Sequence, residues 1–252
     1  MKALILAAGR GSRLNEMTDN QPKCMTDLGD KPLLHWQIES LKAAGATDIT
    51  VVTGYLNEVI KEQGVPTLHN AHWATTNMVS SLLCSLNYID QPTIVSYSDI
   101  VYAPDIVKKL TASKSHLAVA YDDQWLSLWR DRFDNPLDDA ESLKIDTNGN
   151  LLEIGKKVGH LEEIEGQYLG LMQFTPQSMK WIDDVIVSKN LVVENMDMTS
   201  LLNHLIEAGH KLQGVKTSGN WCEIDTQSDL RVAETRLSNG QLDLTSDIEL
   251  SL

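Results

Sequence analysis

The apolar run Leu4-Ile5-Leu6-Ala7-Ala8 passes directly into a turn built on Gly9 and Gly11. Ser12 and Arg13 close the turn, and Lys23 follows ten residues later behind Pro22. A run unbroken by polar residues suits a strand buried on both faces, as in parallel sheets covered by helices. The glycines admit positive φ and close approach of the backbone, and successive amide N–H groups in such a turn attract an anion. Arg13 and Lys23 add two fixed cations, so the simplest guest is a polyphosphate. A P-loop is excluded, because no Lys-Ser or Lys-Thr follows the last glycine. The dinucleotide fingerprint is also missed: the small residue it needs three positions after Gly11 is Leu14.

The rest of the chain alternates strands with helices. The patterns predict helices over 30–45, 56–63, 75–88, 105–111, 176–188, 198–209 and 225–237. Pro32 suits the first turn of the first of these, Gly45 its end, and Thr75 or Thr76 the cap of the third. Strands are expected over 48–53, 66–69, 93–97, 116–121 and 168–175, with extended runs at 211–216 and 221–224. Asn148-Gly149 marks a hairpin turn between 143–146 and 151–155. The alternation implies right-handed crossovers and a parallel sheet. Residues 1–237 read as one domain, with an insertion over about 122–170 and an acidic, loosely ordered tail over 238–252.

With 252 residues the chain is long enough for one large α/β domain. A net charge of −14 argues against a general nucleic-acid or membrane surface. No apolar run is long enough for a membrane span, and the start lacks a secretory leader's pattern. Cys24, Cys84 and Cys222 are far apart, with no CxxC spacing, and read as reduced thiols of a cytoplasmic protein. An acidic protein that binds a triphosphate must gather its few cations locally and needs a metal.

The pattern Ala-Ala-Gly-x-Gly-Ser-Arg-Leu, followed by Pro22-Lys23, resembles the sugar-phosphate nucleotidylyltransferase family. The resemblance implies an α/β, Rossmann-like mixed and mainly parallel sheet flanked by helices, with a small β-rich insertion on the acceptor side. It also implies transfer of a nucleotide from a triphosphate to a small phosphorylated acceptor, with release of pyrophosphate. Arg13, Lys23, Asp99 and Asp225 are then the catalytic residues. Taken alone, Asp99 reads as a turn residue and Asp225 as a helix cap; the resemblance makes them ligands of Mg²⁺, a hard cation that prefers oxygen. Nucleotide contacts fall on Leu6, Ala7, Ala8, Gly9, Arg10, Gly11, Ser12, Arg13, Lys23, Tyr55, Asn77, Ser80 and Ser98.

The run Asn220-Trp221-Cys222-Glu223-Ile224-Asp225 and the segment Thr76-Asn77-Met78-Val79-Ser80 are similar to those of the small cytidylyltransferases acting on phosphocholine and related compounds. The run Trp125–Glu141, together with Pro22-Lys23-Cys24-Met25, Tyr-Ser-Asp-Ile-Val-Tyr around Asp99 and Asn220-Trp221-Cys222-Glu223-Ile224-Asp225, looks most like the phosphoglutamine cytidylyltransferases of capsule phosphoramidate decoration. This implies CTP as donor and glutamine phosphate as acceptor. Trp125, Arg130, Arg132, Lys156, Glu165, Gln167, Tyr168, Trp221 and Glu223 are the acceptor-side candidates; aromatic faces suit a quaternary ammonium and arginines a phosphate or carboxylate. Phosphocholine, aminoethylphosphonate and sugar-1-phosphates stay open as acceptors, as does a non-catalytic nucleotide-binding regulator. A glycosyltransferase would want Asp-x-Asp, and Val101 stands at the third place. A homodimer is left open.

Overall fold

β1 (Lys2–Ala7) alternates between two interiors, as the two-residue period of a strand requires. Ala3, Ile5 and Ala7 join one hydrophobic core, and Leu4 and Leu6 join the other. The computed structural model describes residues 1–245. After β1, two 3-10 segments (Ser12–Thr18 and Lys23–Met25) lead to a short antiparallel pair, β2 (Asp27–Leu28) and β3 (Lys31–Pro32). Then come α1 (Leu33–Ala43), β4 (Asp48–Thr53), α2 (Asn57–Lys61), β5 (Thr67–His69), α3 (Met78–Leu83) and β6 (Thr93–Tyr97). β7 (Ile100–Tyr102), α4 (Pro104–Thr111) and β8 (Leu117–Asp122) precede the insertion. It holds α5 (Leu126–Arg132) and the hairpin of β9 (Glu141–Ile145) and β10 (Leu151–Lys157). β11 (Gln167–Phe174), α6 (Pro176–Lys189), α7 (Met198–Glu207), β12 (Gln213–Thr217), β13 (Trp221–Glu223) and α8 (Gln227–Ser238) complete the order.

Seven strands form the central sheet, in the order β12-β8-β11-β6-β1-β4-β5. β1 pairs in parallel with β4 and β6, β4 with β5, and β8 with β12. β11 runs antiparallel to both β6 and β8, which makes the sheet mixed. Helices cover both faces. Leu34, Leu41, Val107, Leu110 and Ala233 fill one core from α1, α4 and α8, while Leu82, Ile182, Val185, Leu201 and Leu205 fill the other from α3, α6 and α7. Ligands of such sheets bind beyond the carboxyl ends of the parallel strands, where the turn after β1 lies.

Four expectations change. The helix read over 30–45 begins only at Leu33, because Lys31–Pro32 pairs with Asp27–Leu28 as β3. The helix read over 75–88 is only Met78–Leu83, because Thr75 and Thr76 turn their hydroxyls back to the His72 carbonyl, at 3.3 and 2.9 Å. Asn77 is the cap instead, its Oδ1 accepting from the Met78 amide at 2.8 Å. The short strand β7 was not expected; it pairs with β13 as a separate two-stranded ladder. The tail read as loose is packed over 239–245: Leu242 and Leu244 are buried in the first core, and the Leu242 amide donates to the Arg236 carbonyl. The remainder of the expected tail, 246–252, lies outside the described residues.

Candidate active site

The turn after β1 has a specific need for glycine. Gly11 has φ +71°, and a Cβ built there would stand 2.6 Å from the Cβ of Lys23. The aliphatic stem of Lys23 therefore lies against the turn, and its ammonium reaches two aspartates from distant parts of the chain. Ser12 and Arg13 are exposed at the turn's rim. Leu6, Ala7 and Ala8 bury their side chains, so they offer a ligand only backbone. Arg10 donates to Asp19 at 2.8 Å and lies over the Tyr55 ring, whose hydroxyl donates to the Asp19 carbonyl at 2.8 Å. Tyr55 thus braces the turn.

The β7–β13 ladder brings the two aspartates together. Ile100 lies opposite Glu223, and the Ile224 amide donates to the Asp99 carbonyl at 2.8 Å. Asp99 stands just before this ladder and Asp225 just after it. Lys23 Nζ donates to Asp99 Oδ2 at 2.8 Å and to Asp225 Oδ1, joining residues 76 and 202 positions away. Arg13 also pairs with Asp225, at 3.0 Å. Burial works to discharge Lys23, yet Asp99 and Asp225 together outweigh it and raise its pKa, so the ammonium stays charged. Asp225 does not cap the last helix. Thr226 does, its hydroxyl accepting from the Asp229 amide, which leaves the Asp225 carboxylate free to face the site.

These groups open onto a cavity of about 320 Å³ lined by Arg13, Asp225, Glu223, Gln167, Tyr168 and Trp129. Asp139, Glu141, Asp197 and Thr199 line it too, and none of these was picked out from sequence. Their signals are weak: Asp197 is the cap of α7, and Asp139 and Glu141 flank the start of β9. Burial pushes Glu223 up to about 7; Arg132 opposes this, while Asp225 and Asp99 add to it.

The other acceptor-side candidates do not reach this cavity. Trp125 is buried edge-on against Trp129, inside the core. Trp221 is buried with its indole N–H on Asp122 at 2.8 Å. Arg130 is exposed, and Lys156 projects from β10 onto Glu153 at 2.8 Å. Glu165 instead accepts from the Ile145 amide at 2.9 Å, fastening the hairpin. Arg132 is buried and bonded to Glu223 and Asp229. On the nucleotide side, Asn77 caps α3 as above, Ser80 donates weakly to the Val193 carbonyl at 3.4 Å, and Ser98 lies half-buried between β6 and β7.

The two aspartates suit a divalent cation. Asp99 Oδ1 is buried without a hydrogen-bond partner, an oxygen donor with nothing to satisfy it. Among the described residues no three His, Cys, Asp or Glu side chains converge as a self-sufficient metal cage. Two carboxylates with the remaining positions left to water and phosphate is the arrangement Mg²⁺ prefers.

The chain is similar to known proteins in sequence and in fold. Over 250 residues, 92% of this chain and 98% of the relative, the sequence is 44% identical to a CTP:phosphoglutamine cytidylyltransferase of Campylobacter jejuni. It is 34% identical to a choline-phosphate cytidylyltransferase of Streptococcus pneumoniae over 53% of this chain and 61% of the relative. Among solved structures, the CTP:phosphocholine cytidylyltransferase from Streptococcus pneumoniae superposes with a TM-score of 0.69, at 24% identity, over 94% of this chain and 98% of that one. The inositol-1-phosphate CTP transferase from T. maritima gives 0.74 at 18% identity, over 95% and 96%. At such identities the structural likeness speaks to the fold. The model of the MobA-like NTP transferase domain matches residues 3–156, and the chain belongs to that family of nucleotidyltransferases.

Proposed function

We propose that the protein is a cytidylyltransferase that moves CMP from CTP to a small phosphorylated acceptor, glutamine phosphate, and releases pyrophosphate. The observation that carries this reading is Lys23, packed against the glycine turn, bonded to both Asp99 and Asp225, with Asp225 and its partner Arg13 on the wall of the cavity. The 44% identical relative supplies the donor and acceptor classes. Arg13 and the turn's amides hold the β- and γ-phosphates. An oxygen of the acceptor's phosphoryl group attacks the α-phosphorus of CTP; the new P–O bond forms as the bond to the β-phosphate breaks, and pyrophosphate leaves. The acceptor is already anionic, so no general base is required, and Lys23, held charged, acts by position and by neutralising the phosphates. Mg²⁺, held by Asp99 and Asp225, would supply Lewis-acid neutralisation of the phosphate oxygens.

The cavity wall also bears on the acceptor. Asp139, Glu141 and Asp197 face it, a lining that favours an acceptor with an ammonium group over a neutral sugar phosphate. Glutamine phosphate carries one, as does phosphocholine in quaternary form. Use of the product in capsule decoration belongs to the same reading. The test is a pyrophosphate-release screen crossing four nucleoside triphosphates with glutamine phosphate, phosphocholine, aminoethylphosphonate and sugar-1-phosphates, with and without Mg²⁺. CTP with glutamine phosphate is expected to lead, and only with the metal. Preference for UTP or dTTP with a sugar phosphate would overturn the reading.

A further inference from the structure

Arg132 has acceptor-ligand chemistry by sequence, yet its surroundings give it another task. It leaves the last turn of α5 with its side chain 1% exposed, and its guanidinium carbon lies 5.0 Å from the ring centroids of both Trp129 and Phe133. Its Nε donates to Asp229 Oδ1 at 2.9 Å and its Nη1 to Glu223 Oε2 at 2.7 Å. Asp229 passes the connection on. Its second oxygen accepts from the amides of Asp225, at 3.1 Å, and Thr226, at 2.8 Å, and from the Thr226 hydroxyl at 2.9 Å. One guanidinium therefore grips both sides of the corner between β13 and α8, and Asp225 is the residue in the middle of that corner. The same guanidinium touches the acceptor cavity through its partner Glu223 and its ring neighbour Trp129.

We propose that Arg132 is the positioning residue of the reaction centre: it holds the corner so that the Asp225 carboxylate meets Lys23, and it fastens that corner to the cavity wall. The proposal rests on the transferase reading for its kinetic readout. A planar fork is needed because the two carboxylates are reached by different nitrogens at once. A lysine keeps the charge but presents a single point, able to hold one carboxylate well and not both. A purely structural Arg132 would need only the charge and the bulk.

The experiment compares wild-type protein with Arg132→Lys, in urea unfolding, in steady-state pyrophosphate release and in crystal structures. Arg132→Lys is expected to stay folded with a lowered urea midpoint, since one buried carboxylate loses its partner, and with kcat about a hundredfold lower, because displacement of a catalytic group by about 1 Å costs on that order. KM for CTP is expected to change less than kcat, since the glycine turn with its amides and the Lys23 stem packed against it stay in place while Asp225 is the group displaced. In the crystal structure of the variant, Asp225 is expected to have moved away from Lys23. A folded Arg132→Lys protein with wild-type kcat, or with Asp225 in place, overturns the proposal. Should Arg132→Lys fail to fold, Arg132→Met/Asp229→Asn, which removes one cation and one anion together, takes the same three measurements. If neither variant folds, Arg132 serves the fold and the proposal falls. If the wild-type protein releases no pyrophosphate with any acceptor, the transferase reading falls, and the position of Asp225 in the variant still judges Arg132.

Discussion

Lys23 is a cation enclosed by its own counter-ions. Its side chain is 7% exposed and that of Asp225 6%, so removing the ammonium strands carboxylate charge out of water. Breaking a buried pair from one side costs about 3–5 kcal/mol. Lys23→Met is therefore expected to lower the free energy of unfolding in urea by that order and to reduce pyrophosphate release by about a thousandfold or more; wild-type turnover in the variant would remove Lys23 from the centre. Gly11→Ala tests the same contact from the other side. The new methyl group meets the Lys23 stem at a backbone angle that alanine resists, and turnover is expected to fall by about a hundredfold as the ammonium shifts. The thiols differ by burial alone. Burial pushes Cys24 and Cys222 up to about 12, and both are enclosed, while Cys84 is exposed. At pH 8 a disulfide reagent is expected to titrate one thiol in the native protein and three in urea, since the buried pair becomes thiolate only as pH climbs toward 12. Two fast native thiols would contradict the packing around β13.

At the level of elements, local signals and tertiary ones part company. β4 follows its sequence reading residue for residue, because its apolar run is long and bounded. α3 is shorter than its apolar periodicity suggests, because Thr75 and Thr76 spend their hydroxyls on a preceding turn and leave the cap to Asn77. β7 has three residues, too few for any period to show, and its partner β13 lies far along the chain. Arg132 misleads for the same reason: its role is set by Glu223 and Asp229, 91 and 97 positions away. The glycine turn and the two aspartates drew notice because each stands beside a recognisable strand, and Lys23 by its spacing from Arg13 behind Pro22; that the four side chains meet depends on the β7–β13 pairing, which no local pattern shows. The acidic lining of the cavity was not, since surface carboxylates and lining carboxylates look alike in a sequence. One element-scale test concerns α8. Thr226 and Asp229 cap it reciprocally, so Thr226→Ala is expected to cost about 1 kcal/mol in urea unfolding. Kinetics should suffer too, because the lost hydroxyl also touches the Asp229 oxygen that holds the Asp225 amide. A stability loss with wholly unchanged kcat would uncouple the cap from the centre.

On the scale of the whole molecule, the sheet separates two cores, and the segment after α8 returns to one of them. Leu242 and Leu244 bury themselves there, and Asp243 donates its amide to the Asn220 side chain beside β13. Ending the chain after Ser238 removes both leucines, each worth about 1.5 kcal/mol or more of buried apolar surface. The truncated protein is expected to unfold about 3 kcal/mol more easily; an unchanged urea midpoint would show that these leucines add nothing. The β7–β13 ladder has a consequence for synthesis. The phosphate turn and Asp99 leave the ribosome early, but the second carboxylate takes its place only when Trp221–Glu223 has emerged and paired with Ile100–Tyr102. Domains gather their earlier segments first as they are made. A nascent chain thus carries the glycine turn well before the proposed centre can form, because that centre waits on the pairing of β13 with β7.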